Sequence, residues 1–304
     1  MHVLVTGARG RLGASVTDVL RAAGHRVSAV DRTPGDDPDD LTVDLLDTAA
    51  VHALLDRRRP DAVVHLAAIA VPFSAPEREI LMTNTALAFD VLQASVAAGA
   101  TRILAASSPT VVGYGGPGWR PETLPLDESA PSAPSNAYAL SKTYVEDAVA
   151  MLARSTPDVR FASFRPCYVI SPAEWDGAPT QQGHTVVERL RRPELAAVSL
   201  FNYVDARDAA AFVESWLSAD SAPSGARYFV GAADALATEP LRDLIPRWHP
   251  GAASAAVGLS GTAPAFDVSA AMRDTGWRPR RSWRTELDAE SLASLAQPVE
   301  RAGA

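Results

Sequence analysis

Thr6-Gly7-Ala8-Arg9-Gly10-Arg11-Leu12-Gly13 is the stretch on which the reading of this chain turns, with three glycines at the spacing G-x-x-G-x-x-G. Before it, His2 to Thr6 is a short apolar run; after it, residues 12–23 carry the amphipathic spacing of a helix, and Arg26 to Asp31 is a second apolar run. The order is strand, tight turn, helix, strand. A Gly-rich turn in that setting lets backbone N–H groups approach a pyrophosphate at the helix N-terminus.

The alternation continues along the chain. Residues 62–66, 102–106 and 160–164 read as strands, and 48–58, 77–98 and 136–154 as helices. Strands that alternate with helices predict an α/β chain, a Rossmann-type doubly wound parallel sheet covered on both faces. From about Pro172 the rhythm breaks at Pro/Gly-rich joints (177–179, 223–225 and 250–251). The expected organisation is therefore a nucleotide-binding domain over residues 1–170, its sheet completed by segments near 200–230. A smaller, irregular, mainly substrate-binding region follows over 171–304. Residues 113–134, rich in Gly and Pro, are too long for a simple connection and are expected to form a loop over the active site. The tail after Pro298 is expected to fray.

Composition narrows the function classes. At 304 residues, 47% hydrophobic and 21% charged, the chain has a globular rather than a disordered composition. A formal net charge of −8 without a dense basic block argues against a nucleic-acid partner. Arg57-Arg58-Arg59 stands before Pro60 at an expected helix end, where cations suit the helix dipole. The apolar run 62–73 is interrupted by His65 and falls short of the roughly 20 residues of a membrane span, so no membrane partner is expected. A first strand that starts at residue 2 leaves no room for a signal peptide, and the single Cys167 cannot form an internal disulfide, so the cytoplasm is the expected compartment. No His/Cys/Asp cluster has metal spacing.

Of the 28 Lys and Arg residues, Lys142 is the single lysine. That marks a position where a compact ammonium is not replaceable by a guanidinium. Tyr138 precedes it by four residues, so the two share a helix face. A phenol ionises near pH 10 and a neighbouring cation lowers that value, which would make Tyr138 a usable acid/base. Asp31 closes the second strand, where a carboxylate accepts adenosine ribose hydroxyls and favours NAD over NADP. Arg9 and Arg32 could instead approach a 2′-phosphate, which keeps NADP as an alternative.

Thr6 to Gly13, Asp31, Asp44-Leu45, His65-Leu66-Ala67-Ala68, Ser107-Ser108, Tyr138-Ala139-Leu140-Ser141-Lys142 and Arg165-Pro166 occur in an order that resembles the extended short-chain dehydrogenase/reductase family, also called the NAD-dependent epimerase/dehydratase family. The resemblance covers residues 1–170 well. It extends more loosely to Tyr203-Val204-Asp205, Asp208 and Gly276-Trp277. It implies a catalytic set of Ser108, Tyr138 and Lys142, with the lysine also holding the nicotinamide ribose and the serine steadying the reacting oxygen. It implies cofactor contacts from Gly7, Arg9, Gly10, Arg11, Leu12, Gly13, Asp31 and Arg32. Asp44 and Leu45 would flank the adenine, Leu66, Ala67 and Ala68 the path from phosphate to ribose, and Ser107, Pro166 and Val169 the nicotinamide end. Asn84 would support the site through a hydrogen bond. Substrate contacts would come from Ser108, Pro109, Thr110, Tyr168, Gln182 and His184, and Cys167 would be a packing residue. A homodimer through helices near 77–98 and 136–154 is a further implication.

Two departures from the family pattern bear on the reaction. Pro109 and Thr110 stand where dehydratases, decarboxylases and carbonyl-adjacent epimerases of this family carry an extra acid or base. Phe201 stands where nucleotide-sugar members place an arginine, and no Arg lies between Trp248 and Asp267, although Arg227, Arg242 or Arg247 could substitute. The resemblance then implies hydride transfer at a secondary alcohol/ketone or lactol/lactone of a sugar-like or other polar small molecule. The second reading is a nucleotide-sugar 4-epimerase with tightly bound NAD, and the third a non-catalytic NAD(P)-sensing protein.

Overall fold

The structure is a computed structural model that describes residues 1–35, 37 and 40–296; the tail after Pro298 lies outside the described residues. Seven strands form one sheet: β1 (His2–Thr6), β2 (Arg26–Asp31), β3 (Leu41–Thr42), β4 (Ala62–His65), β5 (Arg102–Ala106), β6 (Arg160–Pro166) and, after two short strands described below, β9 (Ala226–Val230). Their order is β3-β2-β1-β4-β5-β6-β9 and every pairing is parallel. The chain reverses direction across the sheet between β1 and β4, and in sheets of this kind the crevice at that point holds the ligand. The doubly wound parallel sheet expected from the alternation is thus present.

Side chains alternate across the sheet, as the period of two requires. Val3 and Val5 of β1 face one core together with Val64, Leu104 and Phe164, whereas Leu4 faces the other with Val63, Ile103 and Phe161. Helices α2 (Thr48–Arg58), α3 (Glu77–Ala97) and α4 (Ala137–Ser155) cover the second face, and α1 (Arg11–Ala22) the first. Local chemistry sets the helix starts. Asp47 caps α2 by accepting from Ala50 N at 3.1 Å, and Asn136 caps α4 by accepting from Ala139 N at 2.9 Å. Arg57 and Arg58 fill the last turn of α2, which ends at Arg59 in a left-handed conformation. Among the described residues α3 is the helix long and apolar enough to cross a membrane by length and composition. It buries Ile80, Asn84, Leu87, Val91 and Leu92 within the protein instead.

β7 (Val169–Ile170) and β8 (Val204–Asp205) pair in a separate two-stranded ribbon, a detail that the short runs in the sequence do not announce. Around it lie α5 (Pro172–Trp175), α6 (Val186–Arg191), α7 (Pro193–Ala197) and the longer α8 (Ala206–Ser218), which packs on α1. The first core cluster runs continuously from Val3 through Phe164 to Phe212, Trp216 and Trp277, so residues on both sides of position 170 share it. Residues 113–134 border the cleft only through Tyr114, and the far half is tied down by Leu126, which donates to Ala265 O at 2.8 Å and accepts from Asp267 N at 2.7 Å.

The C-terminal segment is held by carboxylates of β8 and α8. Asp208 accepts from Arg280 N at 2.7 Å, Arg281 N at 2.8 Å and Arg281 Nη1 at 2.8 Å, while its own carbonyl accepts from Trp277 Nε1 at 2.9 Å. Asp205 accepts from Trp175 Nε1 at 2.7 Å and pairs with Arg207. Asp208→Ala removes three hydrogen bonds to a charged acceptor, and a loss of roughly 2–4 kcal/mol is expected. Urea denaturation should show a lower midpoint at unchanged slope; an unchanged midpoint would show that the segment is held by packing alone.

Candidate active site

At the C-terminal ends of β1, β4, β5 and β6 the turns open into one cleft of about 550 Å³. Its first wall is the Gly-rich turn. Gly7 has φ +68°, and a Cβ there would lie 2.8 Å from Ala67 N; a Cβ on Gly13 would lie 2.0 Å from Gly7 O. Backbone meets backbone at both places, so only glycine fits. Gly10 begins α1 with no side-chain cap, which leaves first-turn N–H groups of the helix without an intrahelical acceptor. Gly7, Gly10, Arg11, Leu12 and Gly13 all line the cleft. A bare helix start behind a turn where any Cβ would collide is a cradle for a pyrophosphate, and the residues present fit a dinucleotide.

Asp31 ends β2, and its carboxylate accepts from Arg9 N at 3.0 Å and from Thr33 N at 3.1 Å, which fixes the turn to the strand beside it. The Arg9 side chain pairs with Asp40, which also pairs with Arg21 at 3.1 Å. Arg9 therefore points its charge along the surface rather than into the cleft. Arg11 lines the cleft but is paired with the buried Glu174 of α5. Arg32 is exposed, Asp44 uses its carboxylate to hold Leu46 N at 3.0 Å, and Leu45 is packed in the second core.

The wall after β4 is set by a buried hydroxyl. Thr6 Oγ1 accepts from Leu66 N at 3.2 Å and Ala67 N at 3.3 Å and bonds with His65 Nδ1 at 2.9 Å. Burial, with a smaller contribution from the Lys142 charge, pushes His65 down to about 3, so the ring is neutral. Leu66 and Ala68 reach the cleft, whereas Ala67 packs on the second core. Asn84 does not reach the cleft. Its Oδ1 accepts from Ile69 N at 2.7 Å, and its Nδ2 donates to Ile69 O and to Ser141 Oγ, both at 3.1 Å. It braces the β4 turn against α4, making its hydrogen bonds to Ile69 and Ser141 without lining the cleft.

Ser108, Tyr138 and Lys142 converge on the cleft together with Ser107, Pro109, Thr110, Pro166, Tyr168, Val169 and Gln182. Ser108 Oγ accepts from Thr110 N at 3.2 Å and Thr110 Oγ1 at 2.9 Å, which orients it at the start of a one-turn helix. Lys142 is buried, and its Nζ donates to Ala106 O at 2.9 Å and lies 5.9 Å from the centre of the Tyr138 ring. Burial lowers Lys142 to about 8. Tyr138 differs from the sequence expectation: burial raises its phenol above the ordinary value, and a hydrogen bond with Ser108 offsets only part of that. Desolvation, which a single chain of letters does not display, is the dominant influence on the phenol. Cys167 lies in the cleft wall, and its burial pushes the thiol far up.

His184 stands outside the cleft and offers its backbone carbonyl to Thr180 N at 2.8 Å. Arg227 lies 3.7 Å from Glu146, Arg242 is paired with Asp243 and Arg247 with Glu239, and none of the three lines the cleft. Glu146, which no motif singled out, and Arg165, known only as the neighbour of Pro166, form a buried pair beneath Ser107. Glu146 Oε1 accepts from Ser107 Oγ at 2.6 Å and Arg165 Nε at 2.7 Å, and Oε2 from Arg165 Nη2 at 2.8 Å, all buried. The signal was present: Glu146 follows Tyr138 and Lys142 at successive four-residue steps and must share their buried face. Val198 and Ser199 of the cleft wall carry no sequence signal at all.

A model of the NAD dependent epimerase/dehydratase family matches residues 3–231. A uronate dehydrogenase of Pseudomonas syringae pv. tomato is 33% identical over 151 residues, 48% of this chain and 52% of the relative. A UDP-glucose 4-epimerase of Azospirillum brasilense is 33% identical over 154 residues, 48% of this chain and 42% of the relative. The chain spans about half the length of the curated relatives it matches. Among solved structures, a short-chain dehydrogenase/reductase superfamily protein from Agrobacterium tumefaciens with bound NAD superposes with a TM-score of 0.73 at 22% identity, covering 97% of each chain.

The neutral His65 has a consequence for stability. Its folded pKa lies below the unfolded value of 6.5, so the unfolded chain binds a proton that the folded one refuses, and stability falls as pH drops below about 6.5. By pH 5 this residue alone should cost about 2 kcal/mol. His65→Asn should flatten the decline between pH 6.5 and 5 in denaturation curves; an equal decline in the variant would contradict the assignment.

Proposed function

The chain belongs to the NAD dependent epimerase/dehydratase family, and from that premise we propose that it is an NAD-dependent oxidoreductase acting on a sugar-like or other polar small molecule. It takes a secondary alcohol to a ketone, or a lactol to a lactone. The observation that carries this reading is the convergence of Ser108, Tyr138 and Lys142 with the Gly-rich cradle on a single cleft. Asp31 at the end of β2 and the engagement of Arg9 by Asp40 favour NAD over its 2′-phosphorylated form. The Pseudomonas syringae relative named as a uronate dehydrogenase supports net oxidation.

When bound, NAD supplies the acceptor for the hydride that leaves the substrate carbon. Tyr138 takes the hydroxyl proton at its phenolic oxygen, and Ser108, oriented by Thr110, holds the reacting oxygen. Lys142 keeps a positive charge beside Tyr138 at neutral pH and is placed to hold ribose hydroxyls. Pro109 offers no proton, so nothing at that position supports elimination or decarboxylation. The second reading, a nucleotide-sugar 4-epimerase, uses the same three residues, and the Azospirillum relative favours it.

Because burial raises Tyr138, its basic form is a minority at pH 7 and grows with pH. The oxidation rate kcat/KM should therefore climb toward pH 8, above which Lys142 loses its charge. With NAD and a panel of sugars, uronic acids and nucleotide sugars, stoichiometric NADH supports the dehydrogenase. A changed sugar without net NADH supports the epimerase. Tyr138→Phe should lower kcat roughly 10²–10⁴-fold with NAD affinity retained; full activity in that variant would refute the mechanism.

The homodimer is part of the same proposal. Met82 and Phe89 on α3 and Tyr144 and Met151 on α4 are exposed large apolar side chains on two helices packed side by side. Phe89→Lys combined with Tyr144→Lys should convert a dimer to a monomer in light scattering; native chain that is already monomeric would reject the interface. The single cysteine is free and buried, which suits a reducing compartment, and the cytoplasm is the proposed one.

A further inference from the structure

Arg189 of α6 is fully buried, and among the described residues no carboxylate pairs with it. Its contacts are neutral. Nη1 donates to Gln182 Oε1, Nη2 donates to Ser199 Oγ at 3.2 Å, and the guanidinium carbon lies 4.1 Å from the centre of the Tyr168 ring. Arg189 Nε and the buried Tyr168 hydroxyl have no hydrogen-bond partner. Tyr168, Gln182 and Ser199 line the same cleft as Ser108 and Tyr138. A buried charge without a counter-charge is unfavourable unless an anion reaches it. Arg189 does not itself line the cleft, but all three side chains that it contacts do.

Of the other cations at the cleft, Arg11 is paired with Glu174, and Lys142, also without an acidic partner, stands at the reacting end beside Tyr138, where the proposed function assigns it to the cofactor ribose. One unpaired guanidinium balances one negative charge. A nucleoside diphosphate carries two, and among the described residues no second unpaired guanidinium lines the cleft. We infer that Arg189, with Tyr168 and Ser199, recognises a single carboxylate on the substrate, so that the molecule oxidised is a hydroxy acid of the sugar-acid type rather than a neutral sugar or a nucleotide sugar. Gln182 is exposed and precedes Gly183 at φ +82°, so its side chain can yield Nη1 to one carboxylate oxygen while the other takes Nη2. A guanidinium meets a carboxylate best through two such parallel bonds.

The inference rests on the dehydrogenase reading and deepens it, and binding measurements let the two fail separately. Full-length protein saturated with NAD is titrated calorimetrically with D-glucuronate against D-glucose, D-galacturonate against D-galactose, and UDP-glucose. At least one acid should bind about tenfold or more tightly than its neutral parent, as expected for hydrogen bonds to a charged group, and more tightly than UDP-glucose. Arg189→Met should abolish that preference, and Arg189→Lys should restore part of it, with NAD affinity unchanged in both as the check on folding. Neutral sugars binding as well as the acids, UDP-glucose binding more tightly than either acid, no binding of either acid, or a preference that survives Arg189→Met would overturn the assignment. Should a variant fail to hold NAD, the matched pairs on the native chain decide alone. NADH is recorded in parallel: acids that bind through Arg189 without reducing NAD would sink the dehydrogenase reading and leave the carboxylate site standing.

Discussion

A carboxylate buried against the sheet, Glu146, joins the three elements on which the site is built. It stands on α4, takes two bonds from Arg165 of β6 and a third from Ser107 at the end of β5. A pair buried to this extent contributes little net stability relative to apolar packing, but removing one partner strands a charge at a cost of about 3–5 kcal/mol. Its effect is therefore on register. With Glu146 fixed, the face of α4 that carries Tyr138 and Lys142 can meet β5 and β6 at one height only, and Ser108 follows directly from Ser107. The phenyl ring of Phe229, 4.8 Å from the Arg165 guanidinium, extends the same constraint to β9.

The cleft is then defined by which charges remain uncompensated. Arg9 is balanced by Asp40, Arg11 by Glu174 and Arg165 by Glu146. Among the described residues Lys142 and Arg189 are the buried cations of this region without an acidic partner. One stands beside Tyr138 at the reacting end, the other behind Tyr168 at the substrate end. Between them Cys167 of the wall is kept as a thiol, and His65, next to the lining residue Leu66, is held uncharged by burial. Such a cleft rewards a substrate that brings its own negative charge and penalises one that brings several.

Much of this was legible in the sequence because the decisive features are local. Gly7, Gly10 and Gly13 follow a strand and open a helix; Tyr138 and Lys142 sit one helical turn apart; the strand-and-helix alternation needs only periodicity. What escaped depends on residues far apart in the chain. Asn84 reaches Ser141 across 57 positions and Glu146 reaches Ser107 across 39, so no window reveals either contact. Asn84 braces the site without lining the cleft, and His184 stands outside the cleft lining, because a motif's position says which element a residue stands on and not where its side chain points. The raised Tyr138 phenol is the clearest difference. Spacing predicts the cation beside it, whereas only packing reveals how much water the ring has lost.

The Gly-rich turn and the Ser108, Tyr138 and Lys142 set are proposed to serve one dinucleotide lying in one cleft, and a crystal structure of the protein with NAD is the decisive measurement. It should show the pyrophosphate against the amides of residues 10–13, adenosine ribose hydroxyls on Asp31, nicotinamide ribose hydroxyls within hydrogen-bond distance of Lys142 Nζ, and the reactive ring carbon facing the pocket shared by Ser108 and Tyr138. A dinucleotide bound with its nicotinamide outside that pocket, or with Lys142 still bonded only to Ala106 O, would contradict the proposal.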